Sequence, residues 1–545
     1  MRLIARATVA AMVSGMEATA PDALNPTERA LLERYLTNLD GRVFALRNLP
    51  EVVKGALFSR YSRTEKSLRR VLLDEFLVDP DAGISLDPTG SLPDERISSE
   101  RAEAFYQRVL VGYGDDSVAE LAGAHVAIER VSTLAAKALE DSRIGLSPLE
   151  KSTRYVRFDR PGPDGRFLYH RGEELRHPAY EPALDSLFRT FSELLTPVLE
   201  HVRHRFPQHE EEGDRAWKSA TRAKAFDLLR GLLPAATLTN LGLYGNGRAF
   251  EYLITKSAAS ELPEVRALSG ELQSELAKVI PAFVRRALDE RYGAPAAARL
   301  EAVRRRLSML APPASGGPQG PEVRLIEHDP QAEAKVVAAA LYPHSDLGWG
   351  ELRAVGVEPA RVLDALLGDR ANRRHKAPRA LEQAVYTFEL SANFAAYRDL
   401  QRHRMLTQDR QLLGTGLGYD LPAGLAEAGL AGRFAAAQEA AARAQERISA
   451  DLGQSLAQYA VPLAYRLRWF VSANLREIFH LCELRTTPEG HPDYRLAAQE
   501  MFRRVQEVHP RLAGYARFVD FSQADELERR SSERRIDEKL AQLGG

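Results

Sequence analysis

The feature that most restricts the possible folds of this 545-residue chain is an internal repetition. Two segments, LRGLLPAATLTNLGLYGNGRAFEYL and QYAVPLAYRLRWFVSANLREIFHL, each carry a proline, an asparagine and an arginine in the same order. Pro234 lies twelve residues before Asn246, as Pro462 lies twelve residues before Asn474. Similarity within one chain at matched spacing predicts two tandem copies of a single fold.

The similarity continues upstream of these segments. In DSVAELAGAHVAIE and RALEQAVYTFELS a glutamate, Glu120 or Glu382, stands at the head of an apolar run. We interpret both runs as apolar helices, each leading about 21 residues later into a polar cluster. Because the same features recur in the same order, a duplication explains them better than chance.

A segment rich in proline and glycine divides the chain. APPASGGPQGPE contains four prolines and three glycines and has nothing to pack into a core, so we predict a linker there. The parts on either side are mostly helical by their hydrophobic period. We therefore predict a helical N-terminal extension at 1–44, a first half at 45–310, the linker at 311–322 and a second half at 323–545.

Charge and cysteine content exclude several classes of function. The 74 Lys and Arg balance 75 Asp and Glu, so the chain lacks a bulk positive field for nucleic acid or an anionic membrane. A helical nucleic-acid-binding protein that uses local arginine clusters stays an alternative. Because Cys482 is the one cysteine, no intramolecular disulfide and no cysteine-based zinc site is possible, and we expect no metal. No run of about 18 apolar residues occurs, so we expect no membrane span and a cytoplasmic protein.

A cationic cluster follows the second apolar run. Arg402, His403 and Arg404 come shortly after VYTFELSANFAAY. On charge pattern alone, such a cluster is usually a solvated helix end. Arginine side chains also suit phosphate or the carbonyl edge of a planar heterocycle, and a histidine between them can stack or hydrogen-bond. The residues alone leave both interpretations open.

The first half has a mixed polar segment near the corresponding place. In SPLEKSTRYV, Glu150, Ser152 and Arg154 combine a carboxylate, a hydroxyl and a guanidinium group. This combination suits a small anion such as a nucleotide, although a polar surface loop would have the same composition.

These motifs resemble those of the flavin-dependent thymidylate synthases, whose signature is Arg-His-Arg, seven residues, Ser, and Arg two later. In that family Arg-His-Arg contacts FAD, and the serine, a nearby glutamate and the arginine hold dUMP. A later helix carries Asn-x-Arg for the flavin and Leu-Arg, whose arginine holds dUMP. For the second half the resemblance implies six flavin ligands, namely Arg402, His403, Arg404, Asn474, Arg476 and His480.

The two halves depart from the family pattern in complementary ways. The second half has Leu412 and Gly414 in place of the nucleotide-binding serine and arginine. For the first half the resemblance implies the dUMP ligands Glu150, Ser152, Arg154 and Arg230. That half has Asp141-Ser142-Arg143 or, counted without a gap, Ser142-Arg143-Ile144 instead of Arg-His-Arg, and Lys256-Ser257 instead of Leu-Arg.

The resemblance also implies a fold and a reaction. The fold is α+β and predominantly helical, with helices packed on a small antiparallel sheet in each of two tandem copies. The reaction is the reductive methylation of dUMP to dTMP with methylenetetrahydrofolate and NADPH through bound FAD, in which Arg485 binds dUMP and polarises the pyrimidine. We expect two chains to form a pseudo-tetramer with composite sites, formed either within or between chains. The alternative is a homologue that binds flavin or nucleotide without catalysis.

Overall fold

Two small antiparallel sheets organise the protein. The computed structural model describes residues 24–41, 44, 46–51, 53–54, 57, 66–77, 119–152, 157–162, 164–210, 212–312, 320–523, 527 and 529–543. Its strands are β1 Gly123–Ser132, β2 Leu146–Glu150, β3 Leu238–Asn246, β4 Glu322–His328, β5 Val385–Asn393, β6 Thr407–Arg410 and β7 Arg466–Asn474. The first sheet has the order β1-β3-β2 and the second the order β4-β5-β7-β6, so β5, β6 and β7 repeat the arrangement of β1, β2 and β3.

Helices surround both sheets. Before the linker they are α1 Pro26–Leu32, α2 Leu68–Leu72, α3 Thr133–Glu140, α4 Tyr180–Arg205, α5 Asp214–Leu229, α6 Gly247–Ala258, α7 Pro263–Leu276, α8 Pro281–Val284 and α9 Gly293–Leu310. In the second half they are α10 Ala332–Leu341, α11 Trp349–Ala354, α12 Pro359–Leu367, α13 Phe394–Leu400, α14 Ala423–Glu427, α15 Ala431–Leu452, α16 Gln454–Ala457, α17 Leu475–Arg485, α18 Pro492–Val508, α19 Pro510–Ala513 and α20 Arg530–Leu543. A π-helical turn at Leu73–Leu77 and 3-10 turns at Glu173–Leu175, Arg230–Leu232, Tyr342–His344, Arg379–Gln383 and Gln458–Ala460 are the other helical elements among the described residues.

The repeated asparagines end a strand and cap the helix that follows it. Asn246 Oδ1 accepts the backbone N–H of Ala249 at 2.8 Å, and Asn474 Oδ1 accepts that of Glu477 at 2.9 Å. Such a cap satisfies a backbone donor that a helix start leaves unpaired. The spacing found in the sequence therefore records the same strand-to-helix corner in both halves.

The repeated prolines mark a pseudo-twofold axis between the halves. Pro234 and Pro462 face each other in an isolated antiparallel bridge. The Ala235 N–H donates to Val461 O at 2.8 Å, and the Leu463 N–H donates to Leu233 O at 2.9 Å. These two hydrogen bonds are equivalent, because the donor of one lies 228 positions along the chain from the donor of the other, and the acceptors are separated by the same distance. One hydrophobic core contains side chains from both halves, so the predicted fold of two tandem copies is confirmed.

The predicted helices headed by Glu120 and Glu382 are wrong, because both apolar runs form strands, β1 and β5. In β5 alternate side chains such as Tyr386, Phe388 and Leu390 are almost fully buried. Aromatic and β-branched residues favour an extended chain when alternate positions can be buried against helices. The helices start only after these strands, at α3 and α13.

Residues near the N-terminus form a second, smaller core. Leu32 and Leu36 pack in it with Leu68, Val71 and Leu72, so chain on both sides of the predicted boundary at residue 44 contributes. Residues 1–23 and the central linker residues 313–319 lie outside the described part of the chain, and their predicted roles stay predictions. Among the described helices, none has the length and hydrophobicity that crossing a membrane requires.

Candidate functional site

Glu150, at the end of β2, joins the two halves through buried charges. Its Oε2 lies 2.9 Å from Lys137 Nζ and 3.4 Å from Arg402 Nη2, and its Oε1 accepts from Arg398 Nη2 at 2.8 Å. The carboxylate is fully buried. Burial raises the pKa of Glu150, but the charges of Arg398, Lys137 and Arg402 outweigh that effect and lower the pKa to about 2. Glu150, predicted to bind the nucleotide, therefore contacts three cations, of which two come from the second half.

Arg404 contacts the first half rather than an open pocket. Its Nη1 donates to Ser147 Oγ at 3.0 Å and also to Leu146 O. Arg143, the third residue of the corresponding triplet, donates to Leu406 O at 3.1 Å and to Thr407 Oγ1 at 3.2 Å. The two arginines make equivalent contacts across the pseudo-twofold axis, and we call them the crossed arginine pair.

His403 is the centre of a hydrogen-bonded chain. Its Nδ1 lies 2.8 Å from Glu477 Oε1, and its Nε2 accepts from Arg485 Nε at 3.0 Å. The imidazole is almost fully buried, and burial lowers its pKa. Among the described residues, His403, Glu477 and His480 offer possible metal ligands within 4.8 Å of one another. The Arg485 guanidinium on the histidine nitrogen opposes a divalent cation there, because like charges repel.

Arg230 is connected to the hydrogen-bonded residues around His403 through Asp399. Its Nη1 lies 3.8 Å from Asp399 Oδ2, and its Nη2 lies 3.9 Å from Asp493 Oδ2. Arg230 is 94% buried, yet its Nη2 has no hydrogen-bond partner. It lines a cavity of about 230 Å³ between the halves, which we call the inter-half cavity. Asp399 also attracts Arg485, whose pKa burial lowers, so one carboxylate links Arg230 electrostatically to the His403 chain.

The remaining residues predicted to bind flavin share a second pocket of about 400 Å³, which we call the helix α17 pocket. Asn474, Arg476 and His480 line it, together with Met405 and Ile144. Arg476 donates to Glu382 Oε1 at 2.8 Å and to Ala377 O at 2.7 Å. Ile144 belongs to the first half, so this pocket also takes residues from both halves.

The structure thus brings most of the predicted residues together within one chain. Ser152 lies half-buried just after β2, and Arg154 lies outside the described residues. Sequence analysis missed Lys137, Arg398 and Glu477. Lys137 and Arg398 could have been found by aligning the two copies, because each is the fifth residue after its helix cap and carries a positive charge.

The pseudo-symmetric counterpart of this site has different chemistry. Glu150, in β2, pairs with the fourth residue of β3. Arg410, in β6, pairs with the fourth residue of β7, so Arg410 is the counterpart of Glu150. Arg230 opens a 3-10 turn, and Gln458 opens the equivalent turn. Arg410 Nη1 donates to Gln458 Oε1 at 3.0 Å, so these two polar groups satisfy each other.

The chain is similar to several known proteins, and a family model matches it in two regions. The family model described as thymidylate synthase complementing protein matches residues 77–282 and 324–511. A UPF0159 protein from Chlamydia muridarum is 44% identical over 91% of this chain and 96% of its own length. A flavin-dependent thymidylate synthase from Geobacter sulfurreducens is 28% identical over 35% of this chain and 84% of its own length. A solved structure of the UMP/dUMP methylase PolB from Streptomyces cacaoi is 18% identical, with a TM-score of 0.30 over 36% of this chain and 94% of that one. Since the family model matches in two successive regions that cover most of the chain, this protein belongs to the thymidylate synthase complementing protein family.

Proposed function

We propose that the protein is a flavin-dependent thymidylate synthase that methylates dUMP with methylenetetrahydrofolate and NADPH. Its one composite site per chain would lie between the halves. The observation that carries this proposal is the contact of Arg402, from the flavin set, with Glu150, from the nucleotide set, at 3.4 Å within one chain. Each half alone lacks part of the family pattern. The contact brings the flavin set of the second half next to the nucleotide set of the first half.

The helix α17 pocket suits a flavin ring. Met405 and Ile144 supply apolar walls, while Asn474, Arg476 and His480 supply polar groups at the edge. A planar heterocycle that carries negative charge when reduced needs this combination of apolar faces and cationic edge. Bound FAD would supply the hydride that completes the methyl group. The protein's own contribution is to hold the reactants in place and to exclude water.

We assign the phosphate of dUMP to the Arg230 end of the inter-half cavity, whose lining combines the cations Arg205, Lys224 and Arg230 with the carboxylates Asp227, Asp420, Glu427 and Asp493. The Arg230 Nη2 is buried and makes no hydrogen bond, although Asp493 Oδ2 lies 3.9 Å away, and a buried donor without a hydrogen bond costs about 1–3 kcal/mol. A phosphate oxygen would remove that cost and add a charge-assisted hydrogen bond. Ser152 and Arg154 follow β2 in sequence and would complete the nucleotide contacts. Arg485, on the other side of Asp399, would polarise the pyrimidine.

The proposed site predicts one bound FAD per chain. The counterpart site has Arg410 and Gln458 bonded to each other where the candidate site has the Glu150 carboxylate and an Arg230 Nη2 that makes no hydrogen bond. Two chains would pair into the expected pseudo-tetramer, with a mass twice the 60.5 kDa of one chain. Because the contacts described lie within one chain, mixing two inactive variants, Arg230→Met and Arg402→Ala, should not restore activity.

A tritium-release assay tests the proposal. Purified protein is incubated with FAD, NADPH, methylenetetrahydrofolate and dUMP tritiated at the methylated carbon, and tritium released to water is counted. The crossed arginine pair supplies a matched control, because Arg404→Ala and Arg143→Ala remove equivalent contacts between the halves. If Arg404 also serves the flavin, only Arg404→Ala should lower flavin affinity and tritium release. Equal effects of the two variants would limit Arg404 to joining the halves.

The main alternative predicts a different result. A homologue that binds flavin without catalysis would turn yellow on addition of FAD and release no tritium under any condition. Binding to a random DNA duplex that weakens steeply with salt would instead support the nucleic-acid alternative.

A further inference from the structure

We propose that Glu477 is a positioning residue that fixes the orientation of Arg485 through His403. The proposal rests on the proposed function only in assigning Arg485 to the pyrimidine. The geometry itself is independent of any activity. It consists of two consecutive contacts, a buried one from Glu477 Oε1 to His403 Nδ1 at 2.8 Å and a partly buried one from His403 Nε2 to Arg485 Nε at 3.0 Å.

The chemistry of the three groups dictates where the protons lie. A guanidinium Nε–H can only donate, so His403 Nε2 must be the unprotonated acceptor. The ring proton of a neutral imidazole then lies on Nδ1, where it is donated to the Glu477 carboxylate. Glu477 therefore selects the one tautomer of His403 that can accept from Arg485. The other tautomer would point two N–H groups at each other.

This contact restricts the Arg485 side chain. With its Nε bonded to His403, the guanidinium plane is fixed and the two Nη groups are the donors left for other partners. Arg485 packs with its guanidinium carbon 5.7 Å from the Tyr494 ring centre and is attracted by Asp399, which lies 3.8 Å from Arg230. The fixed plane thus faces the region where the flavin side and the nucleotide side of the candidate site meet.

The three residues are absent together from the first half. His403 is the tenth residue after the helix cap Asn393, and the tenth after Ser132 is Ser142. Glu477 lies three residues after the helix cap Asn474, and Arg485 lies eleven residues after it. The residues at the same distances after the cap Asn246 are Ala249 and Ser257. A purely structural acid at a helix start needs neither a histidine nor an arginine partner. Loss of all three members suggests that they act as a unit.

A simpler role for Glu477 has to be separated from this one. Glu477 lies in the first turn of α17, where a negative charge stabilises any helix by interacting with the helix dipole. Glu333 provides a matched control, because it occupies the first turn of α10 and pairs with Arg511 at the surface. Both Glu477→Gln and Glu333→Gln remove a helix-start charge, but only Glu477→Gln disturbs the His403 tautomer.

Steady-state kinetics give the first readout. Glu477→Gln should lower kcat for tritium release about 10- to 100-fold while the KM for dUMP changes less than threefold, because a misplaced arginine affects the transition state most. Glu333→Gln should leave both unchanged. In an Arg485→Ala background the further effect of Glu477→Gln should vanish, since residues that act through one another are not additive. If Glu477→Gln lowers kcat by the same factor in the unmodified protein and in the Arg485→Ala variant, the proposal is overturned.

Nitrogen-15 NMR of imidazole-labelled protein gives a readout that needs no turnover. His403 should show the Nδ1–H tautomer, with its signal assigned by its loss in His403→Gln, and Glu477→Gln should convert part of it to the Nε2–H form. If the protein releases no tritium, the proposed function fails while this spectrum still decides the positioning role. An Nε2–H tautomer in the unmodified protein would overturn it.

Discussion

Replacing Glu150 by glutamine tests whether the buried charges hold the halves together. The substitution keeps the shape of the side chain and removes the negative charge that faces Lys137, Arg398 and Arg402. Removing one partner of a buried ion pair costs about 3–5 kcal/mol, because the remaining charges stay desolvated. The pKa gives an independent figure. Lowering it from 4.5 to about 2 corresponds to about 3 kcal/mol of stability at neutral pH.

Thermal unfolding measures this loss. With an unfolding entropy of about 2.1 cal/mol/K per residue, a chain of 545 residues that unfolds as a unit loses about 3 °C of Tm for 3 kcal/mol. Glu275→Gln is a matched control, because Glu275 pairs with Lys278 at 2.6 Å in an exposed position. An exposed pair contributes about 0–1 kcal/mol, so its Tm should change by less than about 1 °C.

The pH dependence makes the test sharper. The pKa of Glu150 is lower in the folded protein than in the unfolded chain, so its stabilisation is complete above pH 4.5 and is lost as pH falls toward 2. The difference between the unmodified protein and Glu150→Gln should therefore shrink from about 3 kcal/mol at pH 6 to about 1 kcal/mol at pH 3. If the two proteins have the same unfolding free energy at pH 6, or if their difference does not shrink as pH falls, the assignment of Glu150 as the charged group that joins the halves is refuted.

Three further predictions follow from particular contacts. Gly231→Ala places a methyl group 2.9 Å from Ala464 Cβ across the pseudo-twofold axis, so the urea midpoint should fall by the equivalent of about 1–3 kcal/mol. Asn474→Ala and Asn246→Ala should each cost about 1 kcal/mol through loss of a helix cap, whereas fluorescence titration should show weaker FAD binding only for Asn474→Ala. Burial raises the pKa of the Cys482 thiol, so a thiol reagent at pH 8 should label no cysteine in the native protein and one per chain in guanidinium.

The duplication could be predicted because it depends on spacing along the chain. Pro234 and Pro462 lie at the same place in each copy, and the copies meet at those prolines. The strands β1 and β5 are harder to distinguish from helices by hydrophobicity alone, because the strand period is interrupted in each and both strands lead directly into a helix. In β1 a bulge between Ile128 and Val131 interrupts the period, and in β5 the alternation holds only from Val385 to Leu390, because the three residues that follow are all buried and lead into α13.

The partners of the predicted site residues could not be inferred from one half at a time. Arg404 is one of three cations in a row, and nothing near it in sequence shows that its contacts are Ser147 and Leu146 of the other half. The same limit applies to Glu150, whose closest charges are 13 and about 250 residues away. Contacts across the pseudo-twofold axis depend on how the copies pack.

Complementary loss in the two halves has a physical explanation in the covalent link. In a homo-oligomer every subunit has the same sequence, so replacing an arginine of the flavin set damages every site. When two copies share one chain and one core, each can change independently while their contact is maintained at high effective concentration. A change that removes Arg-His-Arg from the first half then abolishes the counterpart site and leaves the candidate site intact. Arg410 and Gln458 fit this history, because their mutual hydrogen bond satisfies groups where no anion needs to be held.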